Sequence, residues 1–149
     1  MEYIIRPLMS ADMPTLLVLM AEHAAYEKAI FHPDGKAERL LKAIFETPVR
    51  LYCEVAERQG ELIGFVSYTY DFSTWDAGEF MHMDCLFLRE EARGRGLGRT
   101  ILTKLQQIAR EKGCINIQWQ TPDFNEPAIR FYKKNGAGDL AKVRFTYNL

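Results

Sequence analysis

Apolar residues change period several times along the chain. Glu2-Tyr3-Ile4-Ile5-Arg6 reads as a short strand, and Ser10 then reads as the N-cap of a helix over about residues 11–28, with Leu16, Leu19, Met20, His23 and Ala24 at helical spacing. His32-Pro33-Asp34-Gly35 breaks that pattern. A second helix over 36–45 presents Leu40, Leu41, Ile44 and Phe45, and it stops before Thr47-Pro48 because the residue preceding proline disfavours the helical region. Strands are predicted over 51–57 and 62–70, joined by a polar turn at Arg58-Gln59-Gly60-Glu61 that suits an antiparallel hairpin. After a longer connection at 72–78 comes a fourth strand over 79–88.

Helical spacing returns at Leu97, Ile101, Leu105 and Ile108, the buried stripe of a helix ending near Gly113. Residues 114–120 alternate as a fifth strand, Thr121-Pro122 ends it, a helix opens at Asn125, and 142–148 alternate as a terminal strand. This order describes one α/β domain, a mixed central sheet covered by helices on both faces. No repeat, linker or low-complexity run interrupts it.

Chemistry concentrates where the fourth strand ends. Asp84-Cys85-Leu86-Phe87-Leu88 is delivered into Arg93-Gly94-Arg95-Gly96-Leu97-Gly98-Arg99-Thr100, a glycine-rich turn that opens a helix. Glycines there bring backbone N–H groups close to an anion, the helix start adds its positive dipole end, and the arginines add charge. The turn is therefore read as a pyrophosphate cradle. A dinucleotide fingerprint needs glycine at its sixth place, where counting from Gly94 finds Arg99, and a P-loop needs a lysine where Gly98 is followed by Arg99-Thr100.

What remains is the Arg-x-x-Gly-x-Gly pattern of Arg93, Gly96 and Gly98, which resembles the acetyl-CoA loop of the GNAT superfamily of N-acetyltransferases. Asn125-Glu126-Pro127-Ala128-Ile129-Arg130-Phe131-Tyr132-Lys133-Lys134-Asn135-Gly136-Ala137 resembles the second signature of that superfamily, and residues 125–140 are similar to the diamine (spermidine/spermine) and thialysine acetyltransferases within it. Ile5-Arg6-Pro7, Ala25-Tyr26-Glu27 and Tyr68-Thr69-Tyr70-Asp71 look like the same group, so the resemblance spans essentially the whole chain. It implies a mostly antiparallel sheet of about six to seven strands with about four flanking helices.

The reaction so implied is attack of an amine on the thioester of acetyl-CoA. A primary amine with a pKa of about 10.4 arrives protonated and needs a proton acceptor, while a departing thiolate of pKa about 8.5 is usefully protonated by an acid. By resemblance Tyr132 is that acid, and Asp84 stands where the diamine enzymes carry a glutamate as base. The shorter aspartate favours a water-mediated transfer. Leu86, Phe87 and Leu88 are expected to pair with the pantetheine arm, and an N–H near Leu86 to face developing oxyanion charge. By the same resemblance residues 93–100 are expected to hold the pyrophosphate, and Asn125 with Ala128 to contact the arm from the far side. Lys133 and Lys134 are placed within reach of the 3′-phosphate, or on a solvated helix end. Asn135 departs from an arginine common in the group.

On the acceptor side the resemblance implies Tyr26, Glu27, Asp71, Trp75 and Asp84, an acidic and aromatic set suited to an alkylammonium. Cys85 occupies the place of a second carboxylate, which shifts the expectation from polyamines toward a smaller or singly charged amine: a diamine, a thialysine-like amino acid or an aminoalkyl compound. Protein lysine or N-terminal acetylation, and a non-catalytic acetyl-CoA sensor, stand as alternatives. Direct transfer without a covalent acyl-enzyme is expected, and family members are usually homodimers.

Composition adds limits. With 149 residues and 48% hydrophobic content there is room for one core, and a net charge of −1 with no bulk basic field disfavours nucleic acid. Cys53, Cys85 and Cys114 are odd in number and far apart, which argues against a disulfide framework. No His/Cys grouping has metal-ligand spacing, so no metal is expected. The absence of a signal-like start or a membrane-length apolar run points to a cytoplasmic protein with no membrane partner.

Overall fold

Five strands form one sheet in chain order in the computed structural model, which describes residues 2–149. They are β1 (Ile4–Pro7), β2 (Tyr52–Arg58), β3 (Glu61–Ser73), β4 (Gly78–Leu88) and β5 (Ile117–Gln118). The first four pair antiparallel, while β5 runs parallel to β4. The helices are α1 (Met13–Tyr26), α2 (Lys36–Phe45), α3 (Leu97–Lys112) and α4 (Glu126–Lys134). Ser10–Asp12 forms a 3-10 turn, so the helix expected from residue 11 begins at Met13.

Two expectations are corrected here. The sheet has five strands rather than six or seven, because residues 142–148 join no strand among the described residues and leave Val143, Phe145 and Tyr147 exposed. Alternation marks a segment fit for pairing, but pairing also needs a partner edge. The fifth strand shrinks from 114–120 to Ile117–Gln118, paired as Met81↔Ile117 and His82↔Gln118, while Ile115 N–H donates to Glu79 O at 2.9 Å and Asn116 O accepts from Met81 N at 3.1 Å just before it. Cys114 instead follows the C-cap Gly113, with its N–H donating to Ala109 O at 2.9 Å.

Core residues divide between the sheet's faces. Leu8, Leu16 and Leu19 pack with Val55, Phe65 and Phe87, with Leu40, Leu41 and Ile44 of α2 beside them. On the other face Ile101, Leu105 and Ala109 of α3 pack with Ile63, Met81 and Met83, and Tyr132 of α4 adds to that cluster. Lys104 of α3 pairs with the buried Glu54 of β2, pinning the helix to the sheet.

A bulge decides what the fourth strand shows to each side. Ser67 pairs with Cys85 and Tyr68 with Met83, which leaves Asp84 as an extra residue in β4. Side chains alternate with period two, so one inserted residue sends Met81 and Met83 to the α3 face and Cys85 and Phe87 to the α1 face.

Candidate active site

Strand β4 continues to Leu88, but its ladder with β5 ends at His82. Beyond that point its edge has no strand partner among the described residues, and a cavity of about 640 Å³ opens there. Residues 83–88 line one side, with the end of α1, the glycine turn and α4 completing the wall.

Asp84 is the bulged residue, and its side chain is exposed to the cavity, where Cys85 Sγ lies 3.8 Å from its Oδ2. Bulges re-aim side chains beside functional sites. Burial and the Asp84 charge push the Cys85 thiol up to about 12, so it remains protonated near neutrality and is a poor nucleophile.

Tyr132 reaches the cavity from α4, its ring edge-on to Trp119 at 5.1 Å. Burial, then the charge of Glu27, push its hydroxyl up to about 12. It therefore holds a proton to give across the neutral range. Tyr26 and Glu27 line the same cavity. Asp71 and Trp75 do not: they sit at the far end of the β3–β4 hairpin, Asp71 opposite Phe80 and Trp75 in the turn at 96% exposure. Of the acceptor set, the fold thus brings Tyr26, Glu27 and Asp84 together and leaves Asp71 and Trp75 outside this chain's cavity.

The turn after β4 fits a phosphate-bearing ligand. Gly94 and Gly96 have φ of 71° and 80°, in the left-handed region, and a Cβ built on either meets nothing within 4 Å, so the loop surface is open. The first bond of α3 runs from Thr100 N to Gly96 O at 3.1 Å, which leaves the N–H groups of Leu97, Gly98 and Arg99 without intrahelical partners. Gly98 has a separate reason: its Cβ would lie 2.8 Å from Phe131 Cζ, so it lets α4 pack closely on α3.

The arginines are used unequally. Arg99 lines the cavity. Arg93 folds back, donating Nε–H to Leu88 O at 2.8 Å and lying over the Tyr26 ring at 4.6 Å. Arg95 donates to Glu91 O at 3.2 Å, and it, Leu97 and Thr100 do not line the cavity; Leu97 is core. Asn125, only 7% exposed, caps α4 by accepting from Ala128 N. Lys134 and Asn135 line the cavity, while Lys133 pairs with Asp139 at 3.5 Å on the surface.

Two residues beside the cavity were not singled out in the sequence as candidate site residues. Arg89 binds Glu22 through Nε at 3.0 Å and a terminal nitrogen at 3.1 Å, and reaches Glu61 at 3.1 Å, tying the start of the loop to α1 and β3. His23 lines the cavity with Nε2 2.6 Å from Glu27 Oε2. The i,i+4 spacing of His23 and Glu27 was a readable signal. Among the described residues no group of three or more His, Cys, Asp and Glu could hold a metal ion.

The pattern of the acetyltransferase (GNAT) family matches residues 16–137. A thialysine N-epsilon-acetyltransferase of Caenorhabditis elegans is 34% identical over 136 residues, covering 90% of this chain and 83% of that protein. The Bos taurus protein of the same name is 31% identical over 147 residues, covering 93% and 86%. Among solved structures, an aminoglycoside acetyltransferase from an uncultured soil metagenomic sample, in complex with sisomicin, shares the fold. Its TM-score is 0.82 at 19% identity, over 99% of this chain and 96% of that one. With the open glycine turn, the bulged fourth strand and the matched relatives in agreement, this chain belongs to the acetyltransferase (GNAT) family and is an enzyme that draws its acetyl group from acetyl-CoA.

Proposed function

We propose that the acceptor is a primary amine of a small molecule, a diamine or a thialysine-like amino acid, acetylated by direct transfer. The observation that carries this reading is the meeting of Asp84, Glu27 and Tyr132 in one cavity, two carboxylates and a neutral acid beside the glycine turn. The relatives named for thialysine support the same substrate class.

In this reading Glu27 and Tyr26 receive the cationic amine, and Asp84 accepts its proton through a water. Tyr132 gives a proton to the departing sulfur. The open edge of β4 at residues 86–88 receives the pantetheine arm, with Ala128 and Asn125 opposite, and the turn at 93–100 takes the pyrophosphate. The protonated Cys85 supports transfer without an acyl-enzyme. Asp71 and Trp75 stay in the proposal only as outlying contacts, because they lie away from this cavity.

Two further readings belong here. The exposed apolar tail supports a homodimer in which a second copy covers it. Three free cysteines fit a reducing compartment, and the cytoplasm is the one proposed; no helix among the described residues is long and apolar enough to cross a membrane. Thiol release from acetyl-CoA, measured across diamines, lysine analogues, polyamines, aminoglycosides and a lysine peptide, tests the substrate class. Turnover of the peptide alone would overturn it.

A further inference from the structure

His23 is the cavity's imidazole, and no step above uses it. Its ring lies on Phe87, with centroids 5.3 Å apart and planes at 26°, and meets Phe65 edge-on at 6.0 Å. Phe65 and Phe87 belong to the buried core, so the ring is held by a floor that does not move with solvent. One turn further along the chain, at the C-cap of α1, Glu27 Oε2 stands 2.6 Å from His23 Nε2. An ionised carboxylate only accepts, so Nε2 carries the hydrogen and donates it. That bond occupies one carboxylate oxygen, and Glu27 Oε1 has no hydrogen-bond partner among the described residues.

Glu27 reaches both halves of the cavity. Its charge raises the Tyr132 hydroxyl on α4 and the Cys85 thiol on β4, so the carboxylate acts electrostatically on the groups flanking the acceptor space. A glutamate at the end of a helix, unrestrained, would sample several rotamers and spread that charge. The aromatic floor and the short bond together prevent this.

We propose that His23 is a positioning residue for the acceptor: by holding Glu27 Oε2 it fixes Oε1 toward the cavity as the seat of a single ammonium group. This rests on the reading of the acceptor as a cationic amine. It assigns the recognition of that cation to a preset oxygen rather than to a mobile side chain, and no bond is made or broken by His23.

The test compares His23→Phe, which keeps a flat ring on Phe87 but loses the N–H, with His23→Gln, which keeps an N–H donor but loses the ring. Binding of butylamine and putrescine to the full chain loaded with CoA is titrated calorimetrically, and steady-state constants for putrescine are measured by thiol release. His23→Phe is expected to weaken amine binding and raise KM about tenfold, the size of one charge-assisted hydrogen bond. Its kcat should stay within about threefold and its acetyl-CoA affinity should not change. His23→Gln is expected to retain most of the affinity. Glu27→Gln, which removes the charge itself, should weaken amine binding at least as much as His23→Phe, and adding His23→Phe to it should cost nothing further.

Unchanged amine affinity in His23→Phe overturns the proposal, as does a His23→Gln that loses as much as His23→Phe, because that pattern belongs to the ring's packing alone. If His23→Phe does not fold, His23→Leu and Glu27→Gln carry the same comparison. A wild-type chain that binds amines but releases no thiol defeats the transfer reading and leaves the binding comparison to decide His23. One that binds no amine defeats both.

Discussion

The Tyr26 hydroxyl donates to Asn125 Oδ1 at 3.2 Å, joining the last residue of α1 to the N-cap of α4. These helices lie on opposite faces of the sheet, so the bond crosses the gap left where β5 ends. The same oxygen accepts from Ala128 N at 3.4 Å, and Asn125 Nδ2 donates to Thr121 Oγ1 at 3.4 Å. Nearby, Lys28 lies over the Phe124 ring at 4.4 Å. One buried amide therefore caps a helix and helps shape the cavity wall at once.

Asn125→Ala is accordingly expected to cost about 1–3 kcal/mol, the loss of a cap together with a hydroxyl left unpaired. Tyr26→Phe should cost about 0.5–1.5 kcal/mol. Because the two share a bond, the double variant should lose less than the sum. Urea unfolding of the four proteins measures this, and strict additivity would refute the coupling.

Gly98→Ala should destabilise by about 1–3 kcal/mol through overpacking against Phe131, whose Cζ lies 2.8 Å from the added carbon. For a chain of this size that is a fall of about 2–4 °C in Tm per kcal/mol. Adding Phe131→Leu should recover part of the loss by making room. A Gly98→Ala variant that melts like wild type would show that the ring moves aside freely.

The elements were largely legible because each carries its own period. The stripe Leu97, Ile101, Leu105 and the turn at Arg58–Glu61 report local geometry, and the structure realises both as α3 and the β2–β3 hairpin. The bulge at Asp84 was hidden, because an unbroken run from Met81 to Leu88 reads as one alternation and only the register against β3 shows the inserted residue. Two members of the acceptor set, Asp71 and Trp75, fall outside the cavity for a related reason. Asp71 and Trp75 are near Asp84 in sequence, but a hairpin separates residues in space in proportion to their distance along the strand. His23 was missed because a histidine on an apolar helix face is ordinarily core, and its role depends on Phe87 arriving from β4.

Alkaline pH should weaken the fold through its buried thiols. Burial, with smaller contributions from nearby charges, pushes the thiols of Cys53 and Cys85 up to about 12 from an ordinary 9.0. A folded state that holds its protons more tightly gains stability below the unfolded pKa and loses it as pH rises toward the folded one. Stability should therefore fall as pH rises from about 9 to about 12. Cys53→Ala should be less stable at neutrality and show a shallower fall. An unchanged slope in urea midpoints against pH would remove Cys53 as a cause.

The tail offers a separate check on assembly. Val143, Phe145 and Tyr147 are 77%, 90% and 95% exposed, an alternating apolar segment without a strand partner. If a second copy covers it, light scattering should give a dimer for the full chain and a monomer for a chain ending at Ala141. A monomeric full chain would discard the homodimer.

The chemical assignment rests finally on Tyr132. Its hydroxyl is held neutral by burial and by the Glu27 charge, pushed up to about 12, which suits donation to a sulfur leaving with a pKa of about 8.5. Tyr132→Phe keeps the ring against Trp119, so the wall of the cavity should be preserved. Acetyl-CoA affinity should then be nearly unchanged while kcat falls by about 10²–10⁴, as for loss of a general acid. Titration with CoA and thiol release with the best amine separate the two quantities. Loss of CoA binding would make Tyr132 a wall residue only, and normal turnover would move the acid elsewhere in the cavity.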